Sequence, residues 1–283
     1  MLARVPAPAI FLVGGASQYL GAAVAVDLFS RLVPAGVAWM RLLGAAVVLI
    51  AWRRPSRAAW TGRRLLLAAP LGVVTGLMNA AFYEAIARLP LGTAVAIEFV
   101  GPVAVAAVSS RTARDWAALL LAGMGVGLIA DVQWRGSPTG VLWAAAAALA
   151  WAGYIVLAKR VAQAEDGVTG LAVGFGVGAV LLAPLALGTG PAWSSPRLLV
   201  LGLGVGVLSS VVPYALDQLV LRRVGRARFA VLLALLPVTA VLIGVLTLGQ
   251  VPTLVDGVGI VAVVVAVALR TRDGDRPAEE LAS

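Results

Sequence analysis

The sequence has no cysteine and no histidine. Without cysteine there is no disulfide framework, no thiolate metal site and no thiol nucleophile. Without histidine, imidazole metal sites, general bases and proton relays are excluded as well. Lysine occurs once, as Lys159 in Leu-Ala-Lys-Arg. No phosphate-binding loop with its Gly-Lys-Ser/Thr can exist, so ATP-driven transport by this chain alone is excluded. Gly-x-Ser-x-Gly is missing too, which leaves a membrane hydrolase unsupported. The chain is therefore not expected to be an enzyme, and no cofactor or metal is expected. Charge is scarce, at 12% of residues, about half the share of an ordinary soluble domain. Long polar linkers are also lacking: the longest polar insert in the body is Arg53–Arg64.

What fills the chain instead is apolar. Alanine, leucine, valine and glycine dominate a sequence that is 61% hydrophobic. A helix needs about 20 mostly apolar residues to cross the hydrocarbon of a bilayer. Ten such stretches are present, near 6–26, 33–52, 65–86, 90–110, 116–132, 138–158, 167–187, 198–220, 229–248 and 253–269. Backbone groups in lipid must bond internally, and the alternation of a barrel strand is absent, so the expected class is an all-α membrane protein. The first stretch follows Arg4 but lacks a short core with a small-x-small cleavage site. It reads as a retained helix rather than a signal peptide.

The net charge of +9 is topology information and not a nucleic-acid footprint. With the N-terminus inside, 17 basic residues fall in cytoplasmic segments and 4 in outer loops, with Arg41 inside a span. That asymmetry predicts both termini on the cytoplasmic side. A shift of 135 residues lays Arg88 on Arg223 and Pro102-Val103 on Pro237-Val238, with Gly123 and Gly125 near Gly257 and Gly259. The expected organisation is ten transmembrane helices as two inverted five-helix repeats, residues 1–135 and 136–270, followed by a disordered tail over 271–283. Inverted repeats are a signature of secondary transporters, with the substrate site at the repeat interface near mid-depth.

One acid stands inside an uncharged run. From Leu89 to Ser110 only Glu98 carries a charge. A charge at that depth costs ~2.5–3.5 kcal/mol on insertion scales, so the acid is a candidate for handling a cation or a proton. Its helical face carries Ala94, Gly101, Pro102 and Val105, small enough for a cavity or a close helix. Pro102 frees the carbonyl of Glu98 from its usual partner and predicts a broken spot. Arg41 lies at similar depth, with a guanidinium fork suited to a carboxylate. Two readings stay open: an Arg41–Glu98 ion pair, or a dipolar site that takes a substrate's carboxylate on Arg41 and its ammonium on Glu98. Further candidates for substrate or proton binding are Gln18, Asn79, Tyr83, Trp151, Tyr154, Tyr214 and Asp217. Close packing or an interfacial place is the competing reading, and for Asp217 a pairing with Arg222. Glu84 reads as a solvated rim acid and Asp256 as a helix-start residue.

Several segments together resemble the EamA-type branch of the drug/metabolite transporter superfamily, and within it the threonine/homoserine exporter group. They are Ala87-Arg-Leu-Pro-Leu-Gly-Thr-Ala-Val-Ala-Ile-Glu-Phe-Val-Gly-Pro-Val-Ala-Val-Ala-Ala106, Gly15-Ala-Ser-Gln-Tyr-Leu-Gly21, Met40-Arg41-Leu42, Trp151-Ala-Gly-Tyr-Ile155 and Ser209-Ser-Val-Val-Pro-Tyr-Ala-Leu216. The resemblance implies a bacterial inner-membrane carrier that exports small amino acids or related metabolites by proton antiport. It also implies that two acids usual in relatives are replaced here, by Leu236 and Gln250. The partners expected are a small zwitterionic substrate, protons, the lipid bilayer and, as an open alternative, a second copy of the chain in a homodimer. No nucleic acid is expected. Exporters of nucleosides, drugs or other metabolites, and a non-transporting membrane scaffold, are the alternative readings.

Overall fold

The computed structural model describes residues 5–110, 113–164 and 167–271; the expected tail beyond them, and the loop residues between, lie outside the described residues. Every regular element among them is helical. The first four helices are α1 (Ala7–Leu28), α2 (Pro34–Arg53), α3 (Gly62–Ile86) and α4 (Leu91–Glu98). Next come α5 (Val100–Ser110), α6 (Ala113–Gly136), α7 (Pro138–Ala164), α8 (Gly167–Leu181) and the single turn α9 (Gly190–Trp193). The chain ends with α10 (Pro196–Gly206), α11 (Val212–Leu233), α12 (Leu235–Leu248) and α13 (Leu254–Thr271). Helix or broken helix covers all ten predicted apolar stretches. Among the described residues, five helices are long and apolar enough to cross a membrane, six if the bent pair from Gly167 to Trp193 counts as one. Four shorter apolar helices accompany them. Leu66, Leu120, Leu149, Val180, Leu246 and Val261 point outward and are exposed. Apolar side chains facing out on most helices suit a lipid surface rather than water.

The breaks are where simple spans fail. The fourth stretch, expected as one helix over 90–110, divides at Phe99. The ninth, expected over 229–248, divides at Ala234. Each break lies three residues before a proline, Pro102 and Pro237, whose missing N–H leaves a carbonyl without its helical donor. The seventh stretch turns by 67° after Leu181 into a tighter helical turn over Ala183–Thr189. The eighth contains a widened turn over Val207–Val211, and its helix continues through the residues expected to form a cytoplasmic loop.

Helix ends follow ordinary rules. Asp256 starts α13 as expected: its carboxylate accepts from the Thr253 backbone N–H at 3.2 Å, and Thr253 Oγ1 accepts from the Asp256 N–H at 3.1 Å. That reciprocal pair is a capping box. Gly249 closes α12 at φ 64°, a left-handed conformation that glycine adopts without a Cβ penalty. Glu84 pairs with Arg88 at 2.5 Å, one turn apart on a partly exposed rim, in keeping with its reading as a rim acid.

Helices pack as a bundle around a shared centre. α3 lies against α7 and α8, α1 against α11 and α12, α2 against α8 and α10, α4 against α12, and α6 against α13. The approaches are close. A methyl group on Gly178 would stand 2.6 Å from the backbone of Gly72, so α8 and α3 touch main chain to main chain. Small residues at such crossings let helices gain dispersion contacts that lipid cannot replace.

Candidate functional site

A cavity of about 340 Å³ lies at the centre of the bundle. Eight of the nine predicted site residues line it: Gln18 from α1, Arg41 from α2, Asn79 from α3, Glu98 from α4, Trp151 and Tyr154 from α7, and Tyr214 and Asp217 from α11. Tyr83 does not. It is fully buried behind the wall, with the Arg41 guanidinium 5.6 Å from its ring centroid and the Phe29 ring edge-on at 5.7 Å. A cation over an aromatic face contributes ~0.5–2 kcal/mol, so Tyr83 supports Arg41 from below.

Of the two readings left open for Arg41, the ion pair with Glu98 is absent among the described residues. Arg41 turns instead to the widened turn between α10 and α11. Its Nε donates to Ser210 Oγ at 3.1 Å and its Nη2 to the Ser209 carbonyl at 3.0 Å. The physical reason lies in the backbone. A turn wider than the α-helix takes carbonyls out of the regular ladder, and a freed carbonyl needs a donor. Arg41, brought there by the close contact of α2 with α10, supplies one. The turn is held from its other side by α1. Ser17 Oγ donates to the Leu208 carbonyl at 2.8 Å, and Ser209 Oγ donates to the Gln18 carbonyl at 2.9 Å. The Ser17–Gln18 step therefore does both things the sequence left open, packing closely and facing the cavity.

Glu98 ends α4 at the break and is 8% exposed. Among the described residues its carboxylate has no hydrogen-bond donor and no ion-pair partner. Asn79, 3% exposed, also lines the cavity with an amide that has no such partner. Buried polar groups are usually satisfied, so two unsatisfied ones facing one space point to water or a ligand there. Of the two readings of the small residues on the face of Glu98, Pro102 lines the cavity while Gly101 admits a neighbouring helix. Gly101 abuts the Ala148 carbonyl of α7, and Phe99 meets Trp151 edge-on at 4.8 Å. Asp217 also faces the cavity, with Tyr154 and Tyr214 on its lining. Its expected alternative partner, the Arg222 side chain, lies outside the described residues.

Sequence reasoning missed part of the wall. Thr75, Phe82, Phe99 and Phe175 line the cavity as well. Phe99 had a signal, since it stands at the proline-induced break. Thr75 and Phe175 had none, being ordinary residues of apolar helices. Ser209 and Ser210 were visible as a motif, but their contact with Arg41 was not. Leu236, where an acid was expected from the resemblance, lies on the wall with Cδ2 3.0 Å from the position of a Cβ on Gly15.

Similarity to known proteins agrees with this geometry. Residues 138–272 match the model of the EamA-like transporter family. The chain is 35% identical over 261 residues to the threonine/homoserine exporter RhtA of Escherichia coli K12, covering 91% of this chain and 88% of the relative. It is 34% identical, with the same coverage, to RhtA of Salmonella typhimurium strain SL1344. The chain belongs to the EamA-like transporter family. A crystal structure with 17% sequence identity aligns over 98% of each chain at a TM-score of 0.60, which shows a shared fold. The membership places the cavity in a membrane transporter, and the expectation of a carrier rather than an enzyme agrees with it.

Proposed function

We propose that the protein is a secondary active exporter of small amino acids, threonine and homoserine among them, that exchanges its substrate for protons at Glu98. The observation that carries this is the Glu98 carboxylate: buried, without a partner among the described residues, and facing a cavity large enough for such a substrate. The relatives' activity as threonine/homoserine exporters supports the substrate class. A substrate's carboxylate meets Arg41 beside the widened turn, and its ammonium meets Glu98 and Asn79. Proton and ammonium then compete for one carboxylate, which is the simplest way to couple their movements.

Alternating access follows from two inverted halves, residues 1–135 and 136–270, crossing an inner membrane ten times with both termini in the cytoplasm. Three features support the inverted pairing. An offset of 134 residues takes Gly44 to Gly178 and Gly72 to Gly206; α2 meets α10 at the first and last of these, as α8 meets α3 at the other two. A methyl on Gly125 would stand 2.7 Å from the Gly259 carbonyl, and one on Gly259 would stand 2.6 Å from the Gly125 carbonyl, as expected for equivalent positions on a two-fold axis. The breaks at Phe99 and Ala234 differ by the predicted 135 residues.

The test is reconstitution in liposomes with labelled homoserine and threonine, with and without an imposed pH gradient. Gradient-driven movement by the native protein is expected, and none by Glu98→Gln that has inserted normally. Gradient-driven transport by Glu98→Gln at the native rate would end the coupling proposal. The aromatic lining of Phe82, Phe99, Trp151 and Phe175 favours one second reading, an exporter of larger apolar compounds. Inhibition of homoserine transport by planar aromatic cations, but not by threonine, would select it.

A further inference from the structure

The cavity holds one more acid than base. Glu98 and Asp217 face it, and Arg41 is the basic group on its lining. Two of the nitrogens of Arg41 are already committed to Ser209 and Ser210. Asp217 Oδ1 lies 3.8 Å from the position of a Cβ on Gly14, where the lack of a side chain on α1 leaves the carboxylate room. Among the described residues Asp217, like Glu98, has no cationic partner. Glu98 and Asn79, each more than nine-tenths buried and unpartnered, open on the same space.

Spacing decides what the second acid can do. Ser210, Tyr214 and Asp217 follow one another at steps of four and three, so they share a helical face. Arg41 is fastened to the first of them. Asp217 stands seven residues further along, roughly 10 Å at the helical rise. An α-amino acid carries its ammonium and carboxylate on the same carbon. With its carboxylate on Arg41, its α-ammonium is assigned to Glu98 and Asn79, which leaves Asp217 unused. A second amine at the end of a flexible apolar side chain would span the remaining gap. Tyr154 from α7 and Tyr214 line the cavity with Asp217, and aromatic faces beside a carboxylate suit an ammonium.

We infer that Asp217, with Tyr154 and Tyr214, forms a subsite for a distal ammonium, so that the cavity takes diamino acids as well as neutral ones. The carboxylate binds at Arg41, the α-ammonium at Glu98 and Asn79, and the side-chain ammonium at Asp217. The inference rests on the exporter reading for its first two contacts and adds the third.

The test compares L-lysine with L-norleucine, whose side chain is the same but for the terminal amine. Two readouts are used: competition against labelled homoserine in proteoliposomes, and thermal stabilisation of the purified protein in detergent. The native protein should favour lysine by about tenfold, the range expected for one hydrogen-bonded ion pair. In Asp217→Asn the ratio should fall to near one, and in Asp217→Glu it should persist. Equal effects of lysine and norleucine on the native protein would overturn the inference, and so would an unchanged ratio in Asp217→Asn. If Asp217→Asn does not fold, Tyr154→Leu with Tyr214→Leu takes its place and must lower the same ratio. The two proposals can fail separately. Homoserine that moves while lysine gains nothing over norleucine leaves the exporter and removes the subsite. Lysine that stabilises the protein while homoserine is not moved does the reverse.

Discussion

The breaks at Phe99 and Ala234 are the same backbone device with different chemistry. Each interrupts a helix three residues before a proline, and each stands at the cavity wall. Beside the first is Glu98. Beside the second are Leu233 and Leu236, both apolar and both on the lining. Arg41 likewise has no charged counterpart, since the offset of 134 that takes Gly44 to Gly178 leads to Phe175. The proposed first half brings Gln18, Arg41, Asn79 and Glu98 to the cavity beside Phe82 and Phe99, and the second brings Trp151, Tyr154, Phe175, Tyr214 and, as its charged group on the lining, Asp217. Under the proposed repeat, helix crossings are constrained, because packing depends on backbone approach and small residues. The few side chains that face the interior space are not, and there the two proposed halves differ.

Substitutions at the two breaks, at Arg41 and at the helix ends sharpen that comparison. The largest effect is expected from Glu98→Gln, which should reduce gradient-driven transport to the level of protein-free liposomes. Moving the acid across the break, as Glu98→Gln with Leu233→Glu, should recover a measurable gradient response that Glu98→Gln alone lacks. No recovery would show that Arg41, present on one side only, fixes where the acid must stand.

Pro102→Ala and Pro237→Ala come next. A proline inside a helix costs about 3 kcal/mol against alanine, so each change should raise the midpoint of thermal unfolding. Pro102→Ala should also slow transport, because it lets the backbone at Glu98 straighten. Pro237→Ala should slow it less, since no acid sits at that break. Equal slowing would mean that both breaks act as hinges.

Arg41→Lys keeps the charge but loses the fork that reaches Ser210 and the Ser209 carbonyl together. It should raise KM for carboxylate substrates more than it lowers kcat, read in the same liposome assay.

The smallest effects concern the helix ends. Gln250 Oε1 accepts from the Leu91 N–H at 2.8 Å, so a residue just past the end of α12 caps the start of α4. Gln250→Ala should cost about 1 kcal/mol. Thr253→Ala, which removes the capping box of α13, should cost a similar ~1 kcal/mol. Both are measured as a lowered unfolding midpoint with transport retained.

Much of this molecule was legible in one dimension. Runs of apolar residues announce membrane helices because hydrocarbon rejects unpaired backbone groups whatever the neighbouring helices do. Pro102 announced the break near Glu98 because the loss of an N–H is local. Glu98 announced itself because a lone acid in a long apolar run is expensive wherever it folds. The motifs around Arg88–Pro102 and Ser209–Leu216 were enough to indicate the family.

The partner of Arg41 was not legible. Depth along the sequence suggested Glu98, yet the guanidinium goes to a carbonyl 168 residues away, exposed by a widened turn that no residue pattern signals. The shared cavity was not legible either, because its wall is assembled from helices at both ends of the chain. Composition and spacing determine which segments enter the membrane and where a proline such as Pro102 breaks one, since those costs are paid residue by residue. Which polar groups meet, and which remain unsatisfied around a space, depends on how closely helices approach at glycines such as Gly72 and Gly206, and only the packed structure decides that.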